Sequence, residues 1–178
     1  MDKVRRYFLG SGAFAVPVLK SLLESDKVEI VKIITQVDKP AGRKKLLTPT
    51  PVGFWCDTNG LVCERVKSVN KADFHEQAQK DAVDMFVVVS FGQLLKETTL
   101  ALPRLCCMNV HASLLPRYRG ASPILSALLA GEKTTGVTFM LMDKGLDTGD
   151  MLETWEMPID ETINGVVKRV DIIDEIEV

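Results

Sequence analysis

An α/β domain, with a mostly parallel twisted sheet and helices on both faces, is the fold class the sequence predicts. Three observations carry it. Apolar, often β-branched runs alternate along the chain with segments whose apolar residues recur at helical spacing. The run Met85–Val89 is almost wholly apolar, as a central parallel strand is when both its faces are covered. Gly10-Ser11-Gly12 makes a close turn between the first strand-like run and the first helical one.

Val4–Leu9 reads as the first strand. After the glycines, Phe14, Val18 and Leu22 recur at helical spacing. Val28–Thr35 is a second β-branched run, and Leu61–Val66 is a third strand followed by a polar helix from about Asn70 to Lys80. Cys106–Val110 is the strand after Met85–Val89, and Ala121–Ala130 is a helix closed by Gly131. Gly136–Met142 and Met151–Met157 read as later strands. Ile163, Val166, Val167, Val170 and Ile173 mark a final helix. In open parallel sheets ligands bind beyond the carboxyl ends of the strands, which directs attention to the residues after Val89, Val110 and Met142.

One stretch breaks the rhythm. Asp38–Pro51 holds three prolines and a glycine, which forbid regular structure through most of it, and four cations fall between Lys39 and Lys45. It reads as an irregular loop, either simply solvated or able to follow a phosphate backbone.

The bulk properties narrow the function. With 178 residues, 46% apolar and 26% charged, the chain is long enough for one well-buried domain. A net charge of −2 gives no overall field for nucleic acid, so a polyanion must be met by a local basic patch. No apolar run is long enough to cross a bilayer, and the start lacks an apolar signal core, so a cytoplasmic protein with no membrane partner is expected. Cys56, Cys63, Cys106 and Cys107 make no C-x-x-C pair and the histidines are two, His75 and His111, so no metal site is expected.

Reactive side chains are densest at Asn109-Val110-His111-Ala112-Ser113. Strand alternation points Asn109 and His111 to the same side, one a neutral donor and the other titratable. The second cluster, Met142–Asp150, sets two glycines among three aspartates. It is either an Asp-rich turn or a loop that brings one carboxylate to His111. Gly10-Ser11-Gly12-Ala13-Phe14-Ala15 resembles a dinucleotide fingerprint, yet Thr35 and Gln36 stand where the acidic ribose-binding residue belongs. The glycines therefore serve a tight turn.

The segment NVHASLLPRYRGASP at Asn109–Pro123 resembles the signature of the folate-dependent formyltransferases, and TGVTFMLMDKGLDTGDML resembles their second motif. FLGSGAFAVPVL and DKPAGRKKLLTPTPV are similar to the branch acting on methionyl-tRNA. The resemblance implies a Rossmann-like formyltransferase domain over 1–178, with Asn109, His111 and Asp147 as the catalytic trio. It implies 10-formyltetrahydrofolate as formyl donor, held by Phe91, Gly92, Gln93, Leu94 and by Ser113, Leu114, Leu115 and Pro116, without a metal. It also implies that the basic loop, Arg43 foremost with Lys44 and Lys45, reaches the acceptor end of initiator methionyl-tRNA, with no DNA partner. Members of this branch carry a further carboxy-terminal tRNA-binding domain, and this chain stops within the expected terminal helix, so tRNA grip is where it departs from the pattern. The competing expectations are formylation of an amino-sugar nucleotide or of glycinamide ribonucleotide, a non-catalytic folate- or tRNA-binding remnant, and, last, a nucleotide-dependent oxidoreductase.

Overall fold

The computed structural model describes residues 4–159; the helix expected around Ile163–Ile173 lies outside them. In chain order come β1 (Val4–Gly10), α1 (Ala15–Glu24), β2 (Val28–Gln36), β3 (Lys39–Ala41), β4 (Leu46–Thr48), α2 (Pro51–Thr58) and β5 (Cys63–Val66). Then follow α3 (Ala72–Lys80), β6 (Met85–Val89), α4 (Glu97–Leu100), β7 (Cys106–His111), α5 (Pro123–Leu129), β8 (Thr134–Leu141) and β9 (Met151–Pro158). Seven strands make one sheet in the order β5-β2-β1-β6-β7-β8-β9. The first five are parallel, and β8 and β9 close one side antiparallel.

Alternate residues of the central strands feed two apolar layers. Phe8, Val87 and Val89 join Phe14, Val18, Leu19, Val52 and Cys56, the residues of α1 and α2 among them. Tyr7, Leu9, Phe86 and Val88 join Phe74, Ala78 and Phe91 on the opposite face. Both layers are needed because a parallel sheet leaves neither face to water. Tyr7 stacks on Phe86 with centroids 5.6 Å apart, and Phe74 meets both rings edge-on. Gly10 is where the turn after β1 needs no Cβ: one built there would lie 2.5 Å from Phe8 Cε1 and 2.9 Å from Ala15 Cβ.

The chain runs outward from β1 to β2 and β5, then crosses back to β6 on the other side of β1. Such a reversal leaves a crevice at the carboxyl ends of the strands beside it. The expectation of an irregular Asp38–Pro51 loop is corrected here: β3 and β4 pair as an antiparallel hairpin, with Pro40 opposite Leu47. A two-stranded ribbon consists of edges, so a proline can sit where its missing N–H has no partner to lose. The stretch ends in α2, whose N-cap Thr50 accepts from the Gly53 N–H at 3.0 Å and whose first turn carries Pro51.

Cys56 and Cys107 are buried, and burial pushes the Cys107 thiol up to about 12. Among the described residues no three His, Cys, Asp or Glu side chains are grouped to hold a metal ion, and no helix is long and apolar enough to cross a membrane. His75 lies on α3, its Nε2 on Thr99 Oγ1 at 2.9 Å.

Candidate active site

A cavity of about 440 Å³ opens at the carboxyl ends of β6 and β7. Its apolar wall includes Phe14, Phe91, Leu94, Val110, Met140 and Leu146; Asn109, His111 and Asp147 line it as well. The strand-end loops singled out from sequence thus form one wall each.

Asp147 gathers the polar side. Its Oδ1 lies 3.4 Å from Asn109 Nδ2 and 3.7 Å from His111 Nδ1, and its Oδ2 accepts from the Gly120 N–H at 2.7 Å. Asn109 and His111 reach it together because they are two residues apart on β7. Asp147 itself sits at φ +52°, a left-handed conformation that Asp tolerates better than most residues. The His111 side chain is 6% exposed and that of Asp147 11%, so their interaction is shielded from solvent.

Neighbouring residues shape this loop without joining the trio. Asp143 accepts from Thr148 Oγ1 at 2.7 Å and from the Gly145 N–H at 2.8 Å, and these bonds hold its carboxyl below the usual carboxylate range. Of the three aspartates in the loop, Asp147 is the one that serves His111.

The other ring nitrogen of His111 is also engaged: Nε2 donates to the Tyr118 carbonyl at 3.1 Å. With Nε2 carrying a proton, Nδ1 is the position that alternates between a bare lone pair and an N–H aimed at Asp147. Tyr118 stands at φ +60°, and its phenol donates to Glu132 Oε1 at 2.5 Å, a bond that pushes the phenol up from its ordinary value. The Tyr118 carbonyl and the Gly120 amide, which hold His111 and Asp147, are contacts the sequence reading missed. Backbone atoms have no side-chain signature, and the only clue was the Tyr-Arg-Gly run just past the His111 strand.

The remaining expected residues divide. Phe91, Gly92, Gln93 and Leu94 line the cavity. Ser113, Leu114, Leu115 and Pro116 are not among its lining residues; they form the turn behind it. Ser113 Oγ donates to the Arg117 carbonyl at 2.8 Å, and the Leu115 N–H donates to Thr138 Oγ1 at 3.1 Å. Arg43, Lys44 and Lys45 occupy the exposed tip of the β3–β4 hairpin, away from the cavity lining.

This arrangement of a carboxylate, an imidazole and a carboxamide in a largely apolar crevice suits acyl transfer, where donors meet a developing oxyanion and a base takes a proton. The chain is 48% identical over 168 residues to the methionyl-tRNA formyltransferase of Halorhodospira halophila, covering 93% of this chain and 54% of that protein. Against the methionyl-tRNA formyltransferase of Macrococcus caseolyticus it is 45% identical over 153 residues, 86% of this chain and 49% of the relative. It therefore spans about half the length of these curated relatives. Among solved structures, glycinamide ribonucleotide transformylase 1 from Symbiobacterium toebii superposes with a TM-score of 0.74 over 97% of this chain and 82% of its own, at 19% identity. Phosphoribosylglycinamide formyltransferase from Bacillus halodurans gives 0.73 over 94% and 87%, at 21% identity. At those identities the likeness is one of fold. The formyl transferase family model matches residues 4–172, and with the crevice and its three polar side chains already in place, the chain belongs to the formyl transferase family.

Proposed function

We propose that this chain is a catalytic domain that transfers the formyl group of 10-formyltetrahydrofolate to the amino group of initiator methionyl-tRNA. The observation that carries the reading is the convergence of Asn109, His111 and Asp147 on one point of the cavity. The cavity fits the donor: it is largely apolar, as a pocket for a flat ring must be, and the Gly92 N–H on its wall makes no hydrogen bond among the described residues.

When bound, the donor supplies an electrophilic formyl carbon. Asn109 Nδ2, through its second N–H, and the protonated His111 Nδ1, which at 3.7 Å from Asp147 is not tied up in a full hydrogen bond and can turn its N–H to the substrate, are the donors for the negative charge that develops on the formyl oxygen as the amine attacks. Asp147 fixes the imidazole and takes up, directly or through water, the proton that the amine nitrogen sheds as the new C–N bond forms; that proton is passed to the folate nitrogen as the old C–N bond to the formyl carbon breaks, which releases tetrahydrofolate and returns Asp147 to its carboxylate form.

For the acceptor, the hairpin favours tRNA over a small amine. Arg43, Lys44 and Lys45 stand exposed at its tip beside Leu46 and Leu47, which are 64% and 70% exposed. A small substrate gives such a projection nothing to bind. The names of the sequence relatives point the same way. The test is to incubate the chain with formyl-labelled donor and methionyl-tRNA and to look for labelled formylmethionine after hydrolysis of the ester. Label in the amino acid supports the reading; its absence, with the folate demonstrably bound, refutes it.

A further inference from the structure

The loop Ser90–Leu95, which supplies the wall of the cavity, is held largely by side chains from elsewhere. Gln36 Nε2 donates to the Phe91 carbonyl at 2.6 Å, and Asn70 Nδ2 donates to the Leu94 carbonyl at 2.8 Å. The other end of the Gln36 amide leads away from the cavity: its Oε1 accepts from Nζ of Lys39, the first residue of β3. The partners fix the orientation of this amide, because a carbonyl only accepts and an ammonium only donates. The main chain at Gln36 is tethered as well, its N–H donating to Ser11 Oγ at 3.2 Å.

Gln36 lies against the backbone of Gly92. A Cβ at Gly92 would sit 2.6 Å from Gln36 Nε2, and the residue takes φ +75°, so glycine is required there twice over. A trans peptide is planar, so fixing the Phe91 carbonyl on Gln36 also fixes the Gly92 N–H, which points away from it. One side chain therefore touches both the basic hairpin and the peptide that shapes the cavity wall.

We propose that Gln36 is a positioning residue that couples the hairpin to the donor pocket. With Lys39 on its oxygen the amide holds the Phe91–Gly92 peptide in its observed plane; a polyanion that draws the Lys39 ammonium away loosens that hold. Folate affinity then depends on what the hairpin is doing, and by reciprocity the hairpin senses the folate. This rests on reading the cavity as the folate site.

The test is a double-mutant cycle read by the affinity of 5-formyltetrahydrofolate, a stable probe. Lys39→Met should weaken the probe about threefold, the scale of coupling between members of one hydrogen-bond network. In the Gln36→Leu background the same substitution should have no further effect. Asn70→Ala holds the control position: it frees the same wall from the other side without touching Lys39, so it should weaken the probe and leave the Lys39→Met effect intact. Gln36→Glu keeps the Lys39 contact but sets an oxygen against the Phe91 carbonyl, and it should bind the probe no better than Gln36→Leu. Equal Lys39→Met effects in the wild-type and Gln36→Leu backgrounds, or none in the wild type, would overturn the coupling while leaving the folate site standing. Failure of the wild-type chain to bind the probe would overturn the site reading, and the coupling with it.

Discussion

Held at φ +52°, Asp147 turns one carboxylate oxygen to Asn109 and His111 and the other to the Gly120 amide. Asp147→Asn preserves this shape and removes the charge that stabilises a protonated imidazole. Turnover should fall by about 10² or more, the scale of general acid–base catalysis, and the pH–rate profile should lose or shift one limb. An unchanged rate and profile would reduce Asp147 to a turn residue. Asn109→Ala and His111→Ala should each lower turnover by about 10²–10³, as the loss of one oxyanion donor does. Near wild-type turnover in either, with circular dichroism unaltered, would remove that residue from the mechanism. That Asn109, His111 and Asp147 come together was legible because each bears a distinctive group at a strand end or in a glycine-flanked loop. Gln36 and Asn70 were not, because an uncharged amide at or just past a strand end is commonplace until its partners are known.

At the scale of the element, the strands of the seven-stranded sheet and helices α1, α3 and α5 were legible in the sequence pattern, with ends displaced by a few residues. The hairpin was not. Proline and glycine between Asp38 and Pro51 signal broken structure, and only the pairing of Lys39–Ala41 with Leu46–Thr48 reveals a ribbon. The start of α2 did carry a signal, Thr50 before Pro51 as N-cap and first helical residue, hidden by the prolines around it. Thr50→Ala should destabilise the fold by about 1 kcal/mol, measured by urea titration. It removes the acceptor for Gly53 and the partner of the buried Thr35 hydroxyl at 2.6 Å; an unchanged midpoint would mean the cap is idle. Replacing Arg43 and Lys44 together by alanine should raise the apparent KM for tRNA and flatten its salt dependence by roughly one unit, since each phosphate met on a single strand contributes a slope of about −0.7. Folate affinity should not move, because neither side chain reaches Gln36 or the cavity. If both ligands weaken alike, the hairpin is structural.

Across the described residues, both faces of the central parallel strands are packed and a few contacts tie the halves together. Asp84 is one: its carboxylate accepts from the Arg5 N–H at 2.9 Å and from Arg104 Nε at 2.6 Å, where β1 meets the start of β6. These bonds, that from the Arg5 backbone foremost, hold its carboxyl below the usual carboxylate range. A pKa lower in the folded than in the unfolded chain contributes stability above the ordinary carboxylate pKa, and this is lost as pH falls through the folded value. Asp84→Asn should therefore be less stable than wild type near neutrality, the gap closing on acidification; a gap independent of pH would contradict this. The alternation of apolar runs made the layered architecture legible, and the motif around His111 made the family legible. The acceptor amine is not legible in that motif; its proposal rests on an exposed hairpin and on the names of relatives of which the chain spans about half the length. The most direct test of the central claim is a competition among acceptors for formyl transfer from 10-formyltetrahydrofolate: methionyl-tRNA, glycinamide ribonucleotide and an amino-sugar nucleotide, each measured as kcat/KM with this chain. The account predicts that methionyl-tRNA is used with the highest kcat/KM and that raising the salt erodes this preference; faster formylation of either small amine would contradict it.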